Sequence, residues 1–197
     1  MSPEKFAITI HMVSSLDGFI ARKDNSVSWF DTSDHFEKGV DIPDEEEFNK
    51  TVDCYIMGSR TYEHALELSG NYGWAYGETP TIIVSQRSLP VNRKNVELYN
   101  GSLMELIDCL KSKYKNVWLV GGAQLAKEFI RLHLADELRI SILPIMLGDG
   151  LLLFDHIGIE QSLHLKNVTG FRNGMVELWY EINKTGYGMQ NTGTGRK

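Results

Sequence analysis

The chain has 197 residues, 42% of them hydrophobic, and a formal net charge of −6. That content sustains one sizeable core and leaves little for a second, so one domain is expected. The acidic balance and the lack of a basic stripe argue against a nucleic-acid partner, no run reaches the roughly 18 apolar residues of a membrane span, and the start, "MSPEKFAITIHMVSS", is too short and interrupted for a secretion signal.

In chain order, "FAITIHMV" (6 to 13) reads as a first strand, apolar on both faces at its end and therefore interior to a sheet. A loop rich in Asp, Ser and Asn follows. "DIPDEEEFNKT" (41 to 51) predicts a helix with Pro43 in its first turn and early carboxylates at its positive end. "VDCYIMG" is a second strand, and "SRTYEHALELSG" a helix with Ser59 as cap and Gly70 as terminator. "TPTIIVS" is a third strand. "SLMELIDCLKSKY" is a helix whose Ser102 and Glu105 have capping-box spacing and whose Leu103, Leu106, Ile107 and Leu110 share one face. "NVWLV", a helix through 134 and "ELRISILPIML" continue the alternation, which predicts a mainly parallel twisted sheet between helices. "LHLKNVTGFRNGMVELWYEI" places two strand-like runs around Asn173-Gly174, a hairpin signal that makes the C-terminal edge antiparallel. The domain is expected over residues 1–184, with a flexible tail over 185–197, "TGYGMQNTGTGRK", which carries no core-forming pattern. Cys54 and Cys109, the two cysteines, each stand in an apolar stretch and read as buried free thiols.

Two strand–helix junctions carry chemistry. In "VWLVGGAQLAKEFI" (117 to 130), Gly121 and Gly122 either make a tight turn or let backbone N–H groups approach a pyrophosphate in front of a helix N-terminus. "YIMGSRT" repeats the arrangement at Gly58, so two such junctions suit opposite sides of one dinucleotide. Neither matches the Rossmann or P-loop spacing. For the 2′-phosphate that separates NADPH from NADH, Arg60 and the run Ser85-Gln86-Arg87 supply cations and hydrogen-bond donors, and "IIVSQRS" holds no carboxylate for ribose hydroxyls.

With these residues in view, "SSLDGFIA", "IMGSRTYE", "IIVSQR", "VWLVGGAQL" and "LPIMLGDGLLLF" together resemble the dihydrofolate reductase-like family over residues 6 to 182. The resemblance is strongest to the reductase domain of the bifunctional riboflavin-biosynthesis deaminase-reductases. It implies a three-layer α/β/α fold with a mainly parallel mixed sheet and a C-terminal antiparallel hairpin, binding NADPH across the strand ends beside a planar nitrogen heterocycle. By the same resemblance, Gly58, Ser59, Arg60 and Thr61 meet the cofactor phosphates from one side, and Gly121, Gly122, Ala123, Gln124 and Leu125 from the other; Ser85, Gln86 and Arg87 flank the adenosine ribose. The Gly121-Gly122 bond is similar to the family's cis peptide.

Two departures matter. No deaminase domain precedes the reductase-like region, so the complete bifunctional enzyme is not expected. Phe19 follows "SLDG" where that enzyme's reductase usually has Lys, and a phenyl ring cannot pair with a ribose phosphate. A pterin-holding carboxylate on the first helix, as in dihydrofolate reductase, would be Asp44, with Glu45 as rival; the other reading is a solvated acidic helix start. Asp17 is either a turn residue before Gly18 or a substrate-facing group. Asp17 and Asp44 are therefore the candidate catalytic carboxylates. His11 reads as a satisfied core residue, and Trp29-Phe30 and Trp74-Tyr76 either stack on a flat ring or cover a core edge. No metal is expected, since H-E-x-x-H and Cys-x-x-Cys are absent. The expectation is a cytoplasmic, homodimeric, NADPH-dependent reductase of a pteridine-, pyrimidine- or flavin-precursor-like heterocycle, similar to 5-amino-6-(5-phosphoribosylamino)uracil reductase. The alternatives are a non-catalytic dinucleotide-binding module and a true dihydrofolate reductase.

Overall fold

A computed structural model describes residues 5–184. Its first strand, β1 (Ala7–Ser15), sends Ile8, Ile10 and Met12 to one face of the sheet and Thr9, His11 and Val13 to the other. A short strand, β2 (Phe19–Ala21), and a 3-10 turn at Ser28–Asp31 precede α1 (Glu45–Asn49). The central units follow as β3 (Cys54–Gly58), α2 (Ser59–Tyr72), β4 (Thr81–Val84), β5 (Val96–Tyr99), α3 (Leu103–Lys111), β6 (Asn116–Leu119), α4 (Ala123–Arg131) and β7 (Glu137–Leu143). The chain closes with β8 (Leu151–Leu152), β9 (Leu163–Gly170) and β10 (Val176–Ile182).

The main sheet runs β5-β4-β3-β6-β1-β7-β10-β9. All neighbours from β5 to β7 are parallel, and β7-β10-β9 are antiparallel, with Asn173-Gly174 in the connection and Gly174 at φ 83. This is the expected α/β architecture with its C-terminal hairpin. β2 and β8 form a separate antiparallel ribbon.

Consecutive residues of β3 show where the helices go. Ile56 joins the core made with Leu106, Ile107 and Leu110 of α3 and with Ala126, Phe129 and Ile130 of α4; Met57 instead packs with Ile83, Tyr62 and Leu66 under α2. Adjacent strand residues face opposite ways, so α2 lies on one side of the sheet and α3 and α4 on the other. α1 joins the α2 side, where Phe48 meets Val52, Tyr55 and Trp118.

Several local expectations are corrected. The first helix spans five residues, not the expected 41 to 51, because Asp44 caps it and leaves Pro43 outside. α2 starts from Gly58 as cap rather than Ser59 and passes through Gly70 to end at Gly73, whose φ of 82 suits a residue without Cβ. Ser102 is the N-cap of α3, but its side chain makes no capping bond. Cys54 is buried, whereas Cys109 is exposed, since α3 turns Leu106, Ile107 and Leu110 inward and leaves position 109 on the outer face. β5 was not foreseen in "VELY", where Val96 alone is buried. The expected tail over 185–197 lies outside the described residues.

Candidate functional site

A cleft of about 1090 Å³ opens at the C-terminal ends of β3, β6 and β1. Its position follows from the winding of the chain. From β3 the connection through α2 leads outward to β4, whereas from β6 the connection through α4 leads the other way, across β1 to β7. Helices leaving adjacent strands toward opposite faces part at their starts, and the crevice between them is where ligands of such sheets bind.

Glycine makes the two starts close. The Gly58 N–H donates to the Gly121 carbonyl at 2.8 Å, and Gly58 and Gly122 are the N-caps of α2 and α4. Neither helix has a side-chain cap bond or an acidic residue in its first turn, so both leave N-terminal N–H groups and positive dipole ends available to an anion. The Gly121-Gly122 peptide is cis. A Cβ on Gly121 would stand 3.2 Å from Thr61 Oγ1, and one on Gly122 3.4 Å from it, so Thr61 already fills the space beside this peptide.

The structure brings most of the expected cofactor residues together. Gly58, Ser59, Arg60 and Thr61 line one wall; Gly121, Gly122, Ala123, Gln124 and Leu125 line the facing one. Arg60 is exposed and is the sole Lys or Arg of the lining among the described residues. Ser85, Gln86 and Arg87 lie just past Val84, which does line the cleft. The Ser85 hydroxyl accepts from the Arg87 N–H at 3.0 Å, Gln86 Nε2 donates to the Asn100 carbonyl at 3.1 Å, and Arg87 Nη2 pairs at 2.9 Å with Glu63, a lining residue.

Neither candidate carboxylate lines the cleft. Asp44 is exposed and accepts from the N–H groups of Glu46 and Glu47 as the cap of α1. Asp17 accepts from the Ser15 hydroxyl at 2.5 Å and from the N–H groups of Leu147 and Gly148 at 3.1 and 2.7 Å. The Ser15 hydroxyl chiefly, opposed by partial desolvation and helped by the two N–H groups, holds its carboxyl below the ordinary value of 3.8. Both therefore serve backbone in the loops around the cleft.

The second half of the cleft is aromatic. Phe48, Tyr55, Tyr76 and Trp118 line it, and His11 lies at its floor, 4.8 Å edge-on to the Trp118 ring. His11 reads from the sequence as a satisfied core residue; it is hydrogen-bonded to Ser141 and packed against Trp118 and Phe48, but β1 alternation puts it on the face opposite Ile10 and Met12, at the cleft, with 23% of its side chain exposed. Phe30 also lines the cleft, while Trp29 is buried, and Tyr76 lines it while Trp74 packs under Arg93. Among the described residues no group of three His, Cys, Asp or Glu side chains could hold a metal ion, and no helix is long and apolar enough to cross a membrane.

The sequence pattern of the RibD C-terminal domain matches residues 7–176. The chain belongs to the RibD C-terminal domain family. An uncharacterized protein of Bacillus subtilis (strain 168), YwjB, is 31% identical over 172 residues, spanning 87% of this chain and 95% of its own. A Shewanella sp. PV-4 protein provisionally assigned to riboflavin biosynthesis has a TM-score of 0.76 at 24% identity, with 91% of this chain and 100% of that one covered. The Thermotoga maritima diaminohydroxyphosphoribosylaminopyrimidine deaminase/5-amino-6-(5-phosphoribosylamino)uracil reductase has a TM-score of 0.61 at 16% identity, over 91% of this chain and 57% of its own length. These likenesses are of fold, and the sheet order is that of the expected dihydrofolate reductase-like architecture.

Proposed function

We propose that this RibD C-terminal domain protein is an NADPH-dependent oxidoreductase that reduces a flat, unphosphorylated nitrogen heterocycle of pyrimidine, pteridine or flavin-precursor type. The observation that carries the reading is the meeting of two uncapped, glycine-started helices, α2 and α4, at one end of a cleft whose other end is aromatic. A dinucleotide pyrophosphate fits the first end, because backbone N–H groups and dipoles converge there with no Cβ in the way. A planar ring fits the second, lying over the packed Phe48–Trp118 pair and beside Tyr76.

Bound NADPH would supply a hydride from nicotinamide C4. The chain's share is alignment. Gly58, Ser59 and Thr61 on one side and Gly121, Gly122 and Ala123 on the other hold the pyrophosphate, Arg60 faces the 2′-phosphate, and the aromatic residues set the acceptor ring against the cofactor. With Asp17 and Asp44 tied to loop backbone, the proton that completes the reduction comes from water in the cleft.

The absence of a phosphate on the acceptor rests on charge. Arg60 belongs to the cofactor end, and the ribbon wall is formed by Ile20, Ala21, Leu151 and Leu152, none of which can pair with a phosphate. Phe19, opposite Leu152 in the same ribbon, agrees. A homodimer is part of the proposal, with the outer edge of β9, unpaired among the described residues, and its exposed Leu163, Leu165 and Val168 as the surface to be covered; light scattering reads it directly.

Titration with NADPH and NADH, followed by NADPH oxidation against a panel of heterocycles, tests the reading. Tight NADPH binding with acceptor-dependent oxidation supports it. Binding without turnover on any ring favours a non-catalytic dinucleotide-binding module, turnover confined to dihydrofolate and blocked by an antifolate favours a dihydrofolate reductase, and no NADPH binding rejects all three.

A further inference from the structure

At the floor of the aromatic half, His11 heads a polar chain that runs away from the cleft. Its Nε2 lies 3.3 Å from Ser141 Oγ and 3.8 Å from Glu177 Oε2; Ser141 Oγ lies 3.5 Å from the same carboxylate oxygen. The other oxygen of Glu177 pairs with Arg139 Nη2 at 2.6 Å. Ser141 and Glu177 are buried, and the three strands β1, β7 and β10 hold the group in register, with His11 opposite Arg139 and Ser141 opposite Glu177.

This geometry selects a tautomer. A carboxylate ion-paired to Arg139 is an acceptor only, so the Ser141 hydroxyl donates to it and its oxygen accepts from His11. His11 then carries its proton on Nε2, where the carboxylate also favours it. Burial first, and the Arg139 guanidinium second, bring the His11 pKa down to about 3, so the ring stays neutral. Nδ1 is left as a lone-pair acceptor, and among the described residues it has no hydrogen-bond partner.

The position is in the aromatic half of the cleft. His11 follows Ile10, whose partner in β6 is Leu119, and its ring lies 4.8 Å edge-on to Trp118, the residue before Leu119. Phe48 and Trp118 pack edge-on at 5.0 Å, so a flat ring would lie over this pair, within reach of His11 in the same lining.

We propose that His11 Nδ1 is the specificity-determining acceptor for a ring N–H of the substrate, and that Ser141 and Glu177 position it by fixing the tautomer. What this acceptor adds to the proposed function is a requirement for a ring N–H, which separates a ring that bears one from its N-alkylated analogue. The proposal rests on the reading above that a flat ring occupies this half of the cleft.

Two measurements on the full chain test it. The first is histidine nitrogen NMR on labelled protein, with the His11 signals assigned by loss in His11→Gln. The expected result is protonated Nε2, bare Nδ1 and no titration between about pH 5 and 8, with the tautomer preference lost in Ser141→Ala. A protonated Nδ1 overturns the proposal.

The second is binding of lumazine, a fluorescent pteridinedione, and of 1,3-dimethyllumazine, which lacks its lactam N–H groups, with and without NADP+. The parent is expected to prefer lumazine by about tenfold to a hundredfold, and His11→Leu to lose that preference while keeping NADP+ affinity. Equal binding of the two probes, or no binding of lumazine, overturns the assignment. Failure to bind NADP+ counts against the cofactor reading instead, because the tautomer and the probe preference are read without cofactor.

Discussion

The Gly58 N–H donates to the Gly121 carbonyl at 2.8 Å and so joins the ends of β3 and β6 at the point where their helices part. The bond fixes the spacing of two helix N-termini that the chain supplies 64 residues apart, as Gly122 minus Gly58. The crevice in which the pyrophosphate is proposed to bind is therefore a property of the sheet's winding, with glycine at both helix starts where backbone forms the walls.

The two glycines of the α4 junction are expected to separate on substitution. Gly122 has φ −82, which any residue adopts, and its Cβ would meet Thr61 Oγ1 at 3.4 Å, an ordinary contact. Gly122→Ala should keep the parent's melting temperature and weaken NADPH by about tenfold or more, as a methyl enters the phosphate approach. Gly121 has φ 126, where a side chain is strained, so Gly121→Ala should lose stability as well. NADPH titration beside thermal melts checks both; parent-like affinity in Gly122→Ala removes the pyrophosphate from this peptide.

The two arginines should not be equal. Arg60 lines the cleft free of an ion pair among the described residues, and a charge-assisted contact is worth about 1.5–3 kcal/mol, so Arg60→Ala should weaken NADPH by about tenfold to a hundredfold and NADH little. Arg87 is held by Glu63 outside the lining, in an exposed pair of the kind that contributes at most about 1 kcal/mol. Arg87→Ala is expected to have the smaller effect, and a larger loss for Arg87 than for Arg60 would reverse the assignment.

Asp17 links the end of β1 to the loop at Leu147 and Gly148. Because its folded-state pKa lies below the ordinary 3.8, the stability it contributes is complete above the carboxylate range and is lost as pH falls through the lower folded value. Asp17→Asn puts an amide donor against N–H donors, so it should melt below the parent at neutral pH, with the gap closing on acidification under about pH 4. A gap that persists unchanged in acid would mean the carboxylate's ionisation is not what matters.

Asp44 tests a cap against a proton donor. Asn caps helices about as well as Asp, so Asp44→Asn should preserve both the melt and turnover, whereas Asp44→Ala should cost about 0.5–2 kcal/mol through α1. Turnover on an identified acceptor that collapses in Asp44→Asn, with folding intact, would restore the catalytic role considered for it.

What the sequence determined by itself was local and periodic. "NVWLV" before Gly121-Gly122, "YIMG" before "SRT" and the 103-106-107-110 face of α3 each announce strand, turn or helix through spacing alone, and their order suffices for the family. Gly58 to Thr61 and Gly121 to Leu125 were legible as facing walls because both follow strands directly, so their place is set by a few residues of chain. Tertiary structure decided the rest. Position 109 looks apolar in a window, but only the packing of α3 shows its outer face. "VELY" has too little buried side chain to signal β5, which exists because β4 offers an edge to pair. Asp17 and Asp44 differ from a proton donor by which backbone N–H groups reach them, and for Asp17 those are 130 and 131 residues away. His11, Ser141 and Glu177 carry no shared motif; their chemistry arises from strand register, in which β1, β7 and β10 become neighbours, and from burial, which keeps the imidazole neutral. Short-range periodicity is written in adjacent residues, whereas desolvation and long-range hydrogen bonds exist only after the sheet has closed.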